Sequence, residues 1–122
     1  MAKLLVTEDD ISVRNFLEMA MQLDGHSVTL ACDGAEALEI LQERQQGNPF
    51  DLLLSDIQMP VMDGITLAMN TARDWPSLPI LLMTGYAHQR ERASGLDKLV
   101  QDVIMKPFSL AEIRDAVQKA LA

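Results

Sequence analysis

The stretches FDLLLS (residues 50–55) and PILLM (residues 79–83) are short, mainly apolar runs bounded by turn-forming residues. Runs of this length and character are typical of the central strands of a parallel sheet, because helices cover both faces of such a sheet. Outward from these two runs, strands are predicted at Lys3–Thr7, His26–Ala31 and Asp102–Met105. The alternation of apolar residues in His26–Ala31 indicates a half-buried strand at an edge of the sheet.

Between and after the strands, apolar residues recur at helical spacing, and Gly47-Asn48-Pro49 predicts a turn. The predicted helices are Ile11–Leu23, which ends at Gly25, then Gly34–Gln45, Gly64–Arg73, Ala87–Leu96 and a last helix that Ser109 and Glu112 begin as a capping box. Strand and helix therefore alternate five times. Right-handed crossovers make this order a doubly wound α/β fold, with helices on both faces of a five-stranded parallel sheet. We expect the flavodoxin-like strand order 2-1-3-4-5 in a single domain over residues 1–122, with no output domain.

Composition excludes several classes of protein. The formal net charge is −8, with 18 acidic and 10 basic residues, which argues against direct binding to nucleic acid or to an anionic membrane. The apolar runs are much shorter than the about 20 residues that a membrane span needs, and residues 1–8 lack the longer apolar stretch and the small-residue cleavage site that a signal peptide would need. The single cysteine, Cys32, cannot form an internal disulfide, so we expect a cytoplasmic protein in which Cys32 is a buried or half-buried packing residue.

Polar residues follow four of the five predicted strands. Glu8–Asp10 comes after the first strand, Asp56 after the third, Thr84 after the fourth and Lys106 after the fifth, whereas nothing comparable follows the second. An acid after a strand is usually only a helix cap, but the carboxyl ends of parallel strands meet at one edge of the sheet, where such folds place their sites. We therefore expect these side chains to converge on one site.

The predicted charges at this edge require a cation. Glu8, Asp9 and Asp56 would repel one another, and Lys106 supplies only one positive charge. Mg2+ suits oxygen ligands of this kind and is commonly shared with phosphate, whereas the chain has no cluster of histidines and cysteines for zinc. An aspartate beside Mg2+ can attack phosphorus to give an acyl phosphate, and Lys106 and Thr84 would then neutralise the phosphoryl oxygens.

Four segments resemble the response-regulator receiver family, whose familiar single-domain member is the chemotaxis regulator. They are LLVTEDDISVR (residues 4–14), FDLLLSDIQMPVMDG (50–64), PILLMTGYA (79–87) and VIMKPF (103–108). An aspartate followed by MPxMDG is specific to this family, and the correctly spaced KPF strengthens the match. The resemblance implies two-component signalling, in which a phosphoryl group passes from a phosphohistidine donor to an aspartate and changes protein–protein contacts.

The resemblance also implies residue roles. Asp56 is the phosphoacceptor, Asp9 binds Mg2+ directly, Glu8 holds it mainly through water, and Gln58 contributes its backbone carbonyl. A histidine kinase or a histidine phosphotransfer protein would be the donor, and an unidentified protein would be the downstream target. The protein would not be an enzyme beyond catalysing its own phosphoryl transfer and autodephosphorylation.

Other roles concern the acyl phosphate and the response to it. Thr84 and Lys106 should contact the phosphoryl group, and Lys106-Pro107 should be a cis peptide. Many family members have an aromatic residue where this chain has Val103, and that ring reports phosphorylation by turning inward. Valine is restricted at χ1, so we expect the switch to involve Thr84 and Tyr86, with Val103 as a passive packing residue; the other interpretation is that Tyr86 only covers the rim of the site.

Other functions fit the residues less well. A phosphatase of the haloacid dehalogenase type needs a second aspartate two residues after its nucleophile, where this chain has Gln58. A flavin mononucleotide carrier needs a phosphate-binding loop after the first strand, and Glu8–Asp10 would repel a phosphate there. An adaptor that works without phosphorylation would not need the full set of acids with Thr84 and Lys106. Within the receiver family, we expect a stand-alone phosphorelay shuttle or adaptor; the alternative is a receiver excised from a larger hybrid kinase or regulator.

Overall fold

A computed structural model of the chain describes residues 2–44, 49–96 and 98–122. The strands are β1 (Lys3–Thr7), β2 (Ser27–Ala31), β3 (Leu52–Asp56), β4 (Ile80–Thr84) and β5 (Asp102–Met105). The helices are α1 (Ile11–Leu23), α2 (Gly34–Glu43), α3 (Gly64–Asp74), α4 (Ala87–Ala93) and α5 (Leu110–Leu121), with a 3-10 turn at Ser94–Leu96. No helix in these described residues combines the length and apolar character needed to cross a bilayer.

All strand pairs are parallel, and the order across the sheet is β2-β1-β3-β4-β5, which confirms the predicted fold. The register aligns Thr7 of β1 with Ser55 of β3, Asp56 with Met83 of β4, and Thr84 with Met105 of β5. The carboxyl ends of these four strands therefore lie at one edge of the sheet. β2 is an edge strand, as the alternation in its sequence predicted.

Two apolar layers cover the sheet. Leu5 and Leu53 point into a core formed with α2, α3 and α4, whereas Leu4, Leu52 and Leu54 point into a core formed with α1 and α5. All five leucines have no exposed surface. Full burial of one leucine side chain contributes roughly 1.5–3 kcal/mol, so the consecutive leucines of β3 fix this strand at the centre.

The predicted element boundaries are correct to within one to three residues where the structure describes them. Asp10 caps α1 by accepting hydrogen bonds from the amides of Ser12 and Val13, and the capping box of Ser109 with Glu112 is present. The predicted fourth helix is shorter than expected, because α4 ends at Ala93 and the chain continues as the 3-10 turn. The predicted end of the second helix at Gln45 and most of the turn at Gly47-Asn48-Pro49 lie outside the described residues.

The prediction for Cys32 was wrong, because its side chain is exposed. Cys32 directly follows the last residue of β2, which is an edge strand of the sheet. Its thiol lies 3.4 Å from Nη1 of Arg14 in α1.

Candidate functional site

The predicted acids do converge at the carboxyl edge of the sheet. Oxygen atoms of Glu8, Asp9 and Asp56 lie within 4.8 Å of one another. Glu8 and Asp56 are buried, with 1% and 6% of their surfaces exposed, while Asp9 is exposed. The parallel pairing of β1 with β3 brings Asp56 beside the loop that follows Thr7.

Lys106 lies between two of these carboxylates. Its Nζ donates to Oε2 of Glu8 at 2.8 Å and is 3.2 Å from Oδ1 of Asp56. Its main-chain N–H donates to the carbonyl of Thr84 at 2.8 Å, and its peptide bond to Pro107 is cis, as predicted. The side chain is therefore held at the end of β5 and directed into the acidic cluster.

Burial dominates the protonation of the site. It raises the pKa of the Asp56 carboxyl, against the lowering effect of the nearby Lys106 charge. Burial likewise raises the pKa of Glu8, with the hydrogen bond from Lys106 acting in the opposite direction. For Lys106, burial disfavours the charge, but the hydrogen bond to Glu8 and the charges of Asp56 and Glu8 prevail and raise its pKa. Lys106 is therefore a permanent cation in the site.

Thr84 is buried at the end of β4, and its Oγ1 accepts the main-chain N–H of Tyr86 at 3.1 Å. Tyr86 is the residue before α4, and 52% of its surface is exposed. Its ring lies beside His88, with 5.7 Å between the ring centres. Val103 is half-buried and packs against the core shared by α2, α3 and α4. The structure thus places Thr84 and Tyr86 in direct contact.

A cleft of about 850 Å³ opens over the cluster. Its polar lining includes Glu8, Asp9, Asp56, Gln58 and Lys106, together with Tyr86 at the rim. The apolar part is formed by Val13, Phe16 and Phe108. All residues predicted for the site except Thr84 and Val103 line this cleft; the predicted role of the Gln58 carbonyl stays a prediction.

The first residue of α3, Gly64, packs closely against the backbone of Asp56 and Ile57. The N–H of Gly64 donates to the carbonyl of Ile57 at 2.7 Å, and a Cβ at Gly64 would overlap the carbonyl of Asp56. Only glycine allows this contact, so Gly64 determines how closely α3 approaches the backbone of Asp56. Within the loop after Asp56, Val61 has a φ of 69° and is 83% exposed, a strained conformation for a β-branched residue.

Two arginines that support the loops of the site were not predicted from the sequence. Arg14 donates to the main-chain carbonyl of Glu8 at 3.0 Å. Arg92 of α4 forms an ion pair of 3.1 Å with Asp63, the residue that caps α3. Arg14 is the last residue of the first segment that resembles the receiver family, and this position was the one sign in the sequence that it could matter. Nothing in the sequence indicated the pairing of Arg92 with Asp63, because the two residues are far apart along the chain.

The donor set fits a hard divalent cation. Three carboxylates and one ammonium group leave an excess of negative charge in a partly buried cluster, which is unfavourable without a counter-ion. Carboxylate oxygens are the protein ligands that Mg2+ prefers. Glu8, Asp9 and Asp56 are therefore able to hold such an ion together.

Comparison with known proteins identifies the family. The family model for the response regulator receiver domain matches residues 4–118. The response regulator receiver protein CpdR of Brucella abortus is 39% identical over 121 residues, which cover 99% of this chain and 98% of that protein. Several other curated relatives are response regulators that are 35–36% identical over 111 residues, and this chain spans less than half of their length.

Solved structures agree with this match. The chemotaxis response regulator CheY4 of Vibrio cholerae has a TM-score of 0.84 and 30% sequence identity, with 99% of each chain covered. The response regulator TrrA of Thermotoga maritima, solved in complex with Mg2+–BeF, has a TM-score of 0.85 and 30% identity, with 99% of this chain and 100% of that chain covered.

Proposed function

This chain belongs to the response regulator receiver family, and from that premise we propose that it accepts a phosphoryl group on Asp56 from a phosphohistidine donor, with Mg2+ as cofactor. The observation that carries the proposal is the position of Asp56. Its carboxylate lies 3.2 Å from the Lys106 ammonium, in a cluster with Glu8 and Asp9, on the wall of an open cleft. The structure of TrrA with Mg2+–BeF supports the choice of metal.

In the transfer, a carboxylate oxygen of Asp56 attacks the phosphorus atom of the phosphohistidine. The new O–P bond forms as the P–N bond breaks, and the electron pair of that bond returns to the imidazole, which leaves as neutral histidine after taking a proton. Mg2+, held by Asp9, Asp56 and Glu8 with the predicted Gln58 carbonyl, would neutralise charge on the phosphoryl oxygens. The ammonium of Lys106 and the hydroxyl of Thr84 would stabilise the same oxygens from the protein side.

Removal of the phosphoryl group would follow from attack of water on phosphorus. The acyl O–P bond would break, inorganic phosphate would leave, and the electron pair of that bond would return Asp56 to its carboxylate form. Gln58 stands two residues after Asp56 and has no titratable proton, so it does not act as a general acid. This supports a domain that catalyses only its own phosphorylation and autodephosphorylation, rather than a phosphatase for external substrates.

We further propose that the domain works through protein contacts in the cytoplasm, with a histidine kinase or histidine phosphotransfer protein as donor. Coverage of nearly the whole of CpdR supports a stand-alone shuttle or adaptor. The longer relatives support the alternative of a receiver within a larger regulator. Rapid return of the phosphoryl group from Asp56 to a phosphotransfer protein would favour the shuttle, whereas a persistent acyl phosphate would favour the adaptor.

The response would begin at Thr84. Its Oγ1 accepts the N–H of Tyr86, so a Thr84 hydroxyl that turns toward a phosphoryl group on Asp56 would release that N–H and loosen the start of α4. Val103 is branched at Cβ and packed in the core, which supports Tyr86 rather than Val103 as the responding residue.

The phosphoacceptor is tested with a small-molecule phosphodonor and intact-mass measurement. Wild-type protein with Mg2+ should gain one phosphoryl group, Asp56→Ala none, and the control Glu39→Gln, which neutralises an exposed acid of α2, the same as wild type. Undiminished incorporation in Asp56→Ala would refute the assignment.

The switch is tested by amide chemical shifts of α4 and β5 with and without beryllofluoride and Mg2+. Tyr86→Ala should still bind beryllofluoride but lose most of the shift changes in residues 87–93, whereas Val103→Ala should retain them. Full shift changes in Tyr86→Ala would show that Tyr86 only covers the rim.

A further inference from the structure

Arg14 lies in the first turns of α1 and faces the loop between β1 and α1. Its Nη1 donates to the Glu8 carbonyl oxygen at 3.0 Å and lies 3.4 Å from the Cys32 thiol at the end of β2. Its own main-chain N–H donates to the carbonyl of Asp10 at 2.9 Å. The arginine is half-buried, and its guanidinium contacts both the loop after β1 and the residue after β2.

Every polar group of Glu8 has a partner. Its N–H donates to the carbonyl of Ala31 at 3.1 Å, and its carbonyl accepts from Arg14. One carboxylate oxygen accepts the N–H of Asp10 at 3.2 Å, and the other accepts from Lys106 at 2.8 Å. Glu8 is therefore held by Ala31 at the end of β2 and by Lys106 directly after β5. It is also held by the amide of Asp10, which caps α1, and by the side chain of Arg14.

Asp9 stands between two residues that are fixed in this way. Asp10 is held by Glu8 on one side and caps α1 on the other. The Asp9 side chain itself is exposed, and it makes no hydrogen bond or ion pair within residues 2–44, 49–96 and 98–122. The backbone on either side therefore fixes the point from which its side chain reaches the acidic cluster.

We infer that Arg14 is a positioning residue for the divalent-cation site. By holding the Glu8 carbonyl, it fixes the Glu8–Asp9 peptide and so orients the Asp9 carboxylate toward Asp56. The inference rests on the proposed function in that the ion is Mg2+. Residues that orient metal ligands are usually worth about 10-fold or more in metal affinity.

The charge of Arg14 has the opposite effect. The guanidinium is bonded to the main-chain carbonyl of Glu8, a member of the acidic cluster, and its positive charge repels an incoming cation. Loss of the charge alone would therefore strengthen Mg2+ binding. Positioning and charge therefore predict opposite signs for Arg14→Met, which removes both the donor and the charge but retains a good helix-forming side chain. Arg14→Lys keeps the charge but replaces the planar guanidinium with a single flexible donor.

The experiment measures Mg2+ affinity by calorimetry, and amide exchange of Glu8 and Asp10 in metal-free protein. We expect Arg14→Met to bind Mg2+ about 10-fold more weakly and to exchange these two amides faster, with Arg14→Lys intermediate in both. Arg73→Met is the matched control, because Arg73 is an exposed arginine near the far end of α3, paired with Asp74.

Mg2+ binding to Arg14→Met as tight as or tighter than to wild type overturns the inference, since charge alone would then account for the effect. If Arg14→Met does not fold, wild-type affinity in Arg14→Lys overturns it in the same way. Failure of the proposed function looks different: the wild-type protein itself would not bind Mg2+, or Asp9→Asn would bind it as well as wild type does.

Discussion

Replacement of Asp9 by asparagine should stabilise the metal-free protein and abolish its stabilisation by Mg2+. The substitution removes one of three negative charges whose oxygens lie within 4.8 Å of one another, at nearly constant side-chain volume. Asp9 makes no hydrogen bond or ion pair in the described part of the chain, so the change removes repulsion without removing a favourable contact.

The size of the effect follows from the geometry. Two unit charges at 4.8 Å, the upper limit of the separation between these oxygens, repel by about 3.5 kcal/mol at an effective dielectric constant near 20. Asp9 is exposed, and water reduces interactions of exposed charges to about 0.2–1 kcal/mol for each pair. Asp9 has two such pairs, with Glu8 and Asp56, so we expect a gain of about 1 kcal/mol in the free energy of unfolding.

The assay is denaturant unfolding of wild type, Asp9→Asn and the control Glu39→Gln, in chelator and in Mg2+. A ligand at 100 times its Kd adds about 2.7 kcal/mol to the stability of a protein that binds it. Wild type should show this gain and Asp9→Asn should not, so the order of the two stabilities reverses on adding Mg2+. The control Glu39→Gln measures how much the free energy of unfolding rises when a single negative charge elsewhere is removed from a chain with a net charge of −8. The reasoning is refuted if Asp9→Asn is less stable than wild type in chelator, or if it retains the gain in Mg2+.

The Asp56 carboxyl, the backbone at Val61 and the Arg92–Asp63 ion pair can each be perturbed in turn. The raised pKa of Asp56 means that the folded state binds a proton at this carboxyl more readily than the unfolded state. The metal-free protein therefore gains stability from Asp56 as the pH falls from neutral toward about 4. Asp56→Asn should show a smaller rise in the denaturant midpoint over this pH range than wild type, and an equal rise in the two proteins would contradict this. Val61→Asn should raise the free energy of unfolding by about 1 kcal/mol. Asparagine tolerates a positive φ, and little packing is lost when the exposed valine is removed. An unchanged or lower denaturant midpoint would contradict this. Arg92→Ala should speed amide exchange in α4 by up to about fivefold, because it removes an exposed ion pair with Asp63 worth at most about 1 kcal/mol. The control Arg90→Ala, on the same helix, should leave amide exchange unchanged. Equal effects of the two variants would count against this role of the ion pair.

The fold was predictable because its signals are local and repeated. Runs of leucine in β3 and β4, the cap at Asp10 and the glycine at position 25 each specify a strand, a start or a stop within a few residues. Parallel pairing and right-handed crossovers then leave few arrangements. The convergence of Glu8, Asp9 and Asp56 was predictable for the same reason, since it needs only the strand ends to meet.

The end of α4 was harder to predict. Residues 87–96 have helical spacing, yet α4 stops at Ala93, where the Ser94 hydroxyl donates to the carbonyl of Glu91 and Gly95 follows. Ala93 is the only residue of α4 that is buried, so packing adds little to an intrinsically weak helix. At the position where α4 ends, the Ser94 hydroxyl thus competes for a carbonyl of the helix.

The arginines that support the site were hidden for a different reason. Arg14 and Arg92 act through main-chain and side-chain acceptors that the fold brings to them, at Glu8 and Asp63, and an arginine on a helix ordinarily predicts only a solvated face. The acids, in contrast, are recognisable because several lie together at strand ends. Sequence therefore reveals the groups that would carry the chemistry. The groups that hold them in place are identified only from the folded structure, which shows their hydrogen-bond acceptors. In this protein those supports join each site loop to a helix, α1 for the Glu8–Asp10 loop and α4 for the loop after Asp56, so a change in either helix is expected to reach the carboxylates directly.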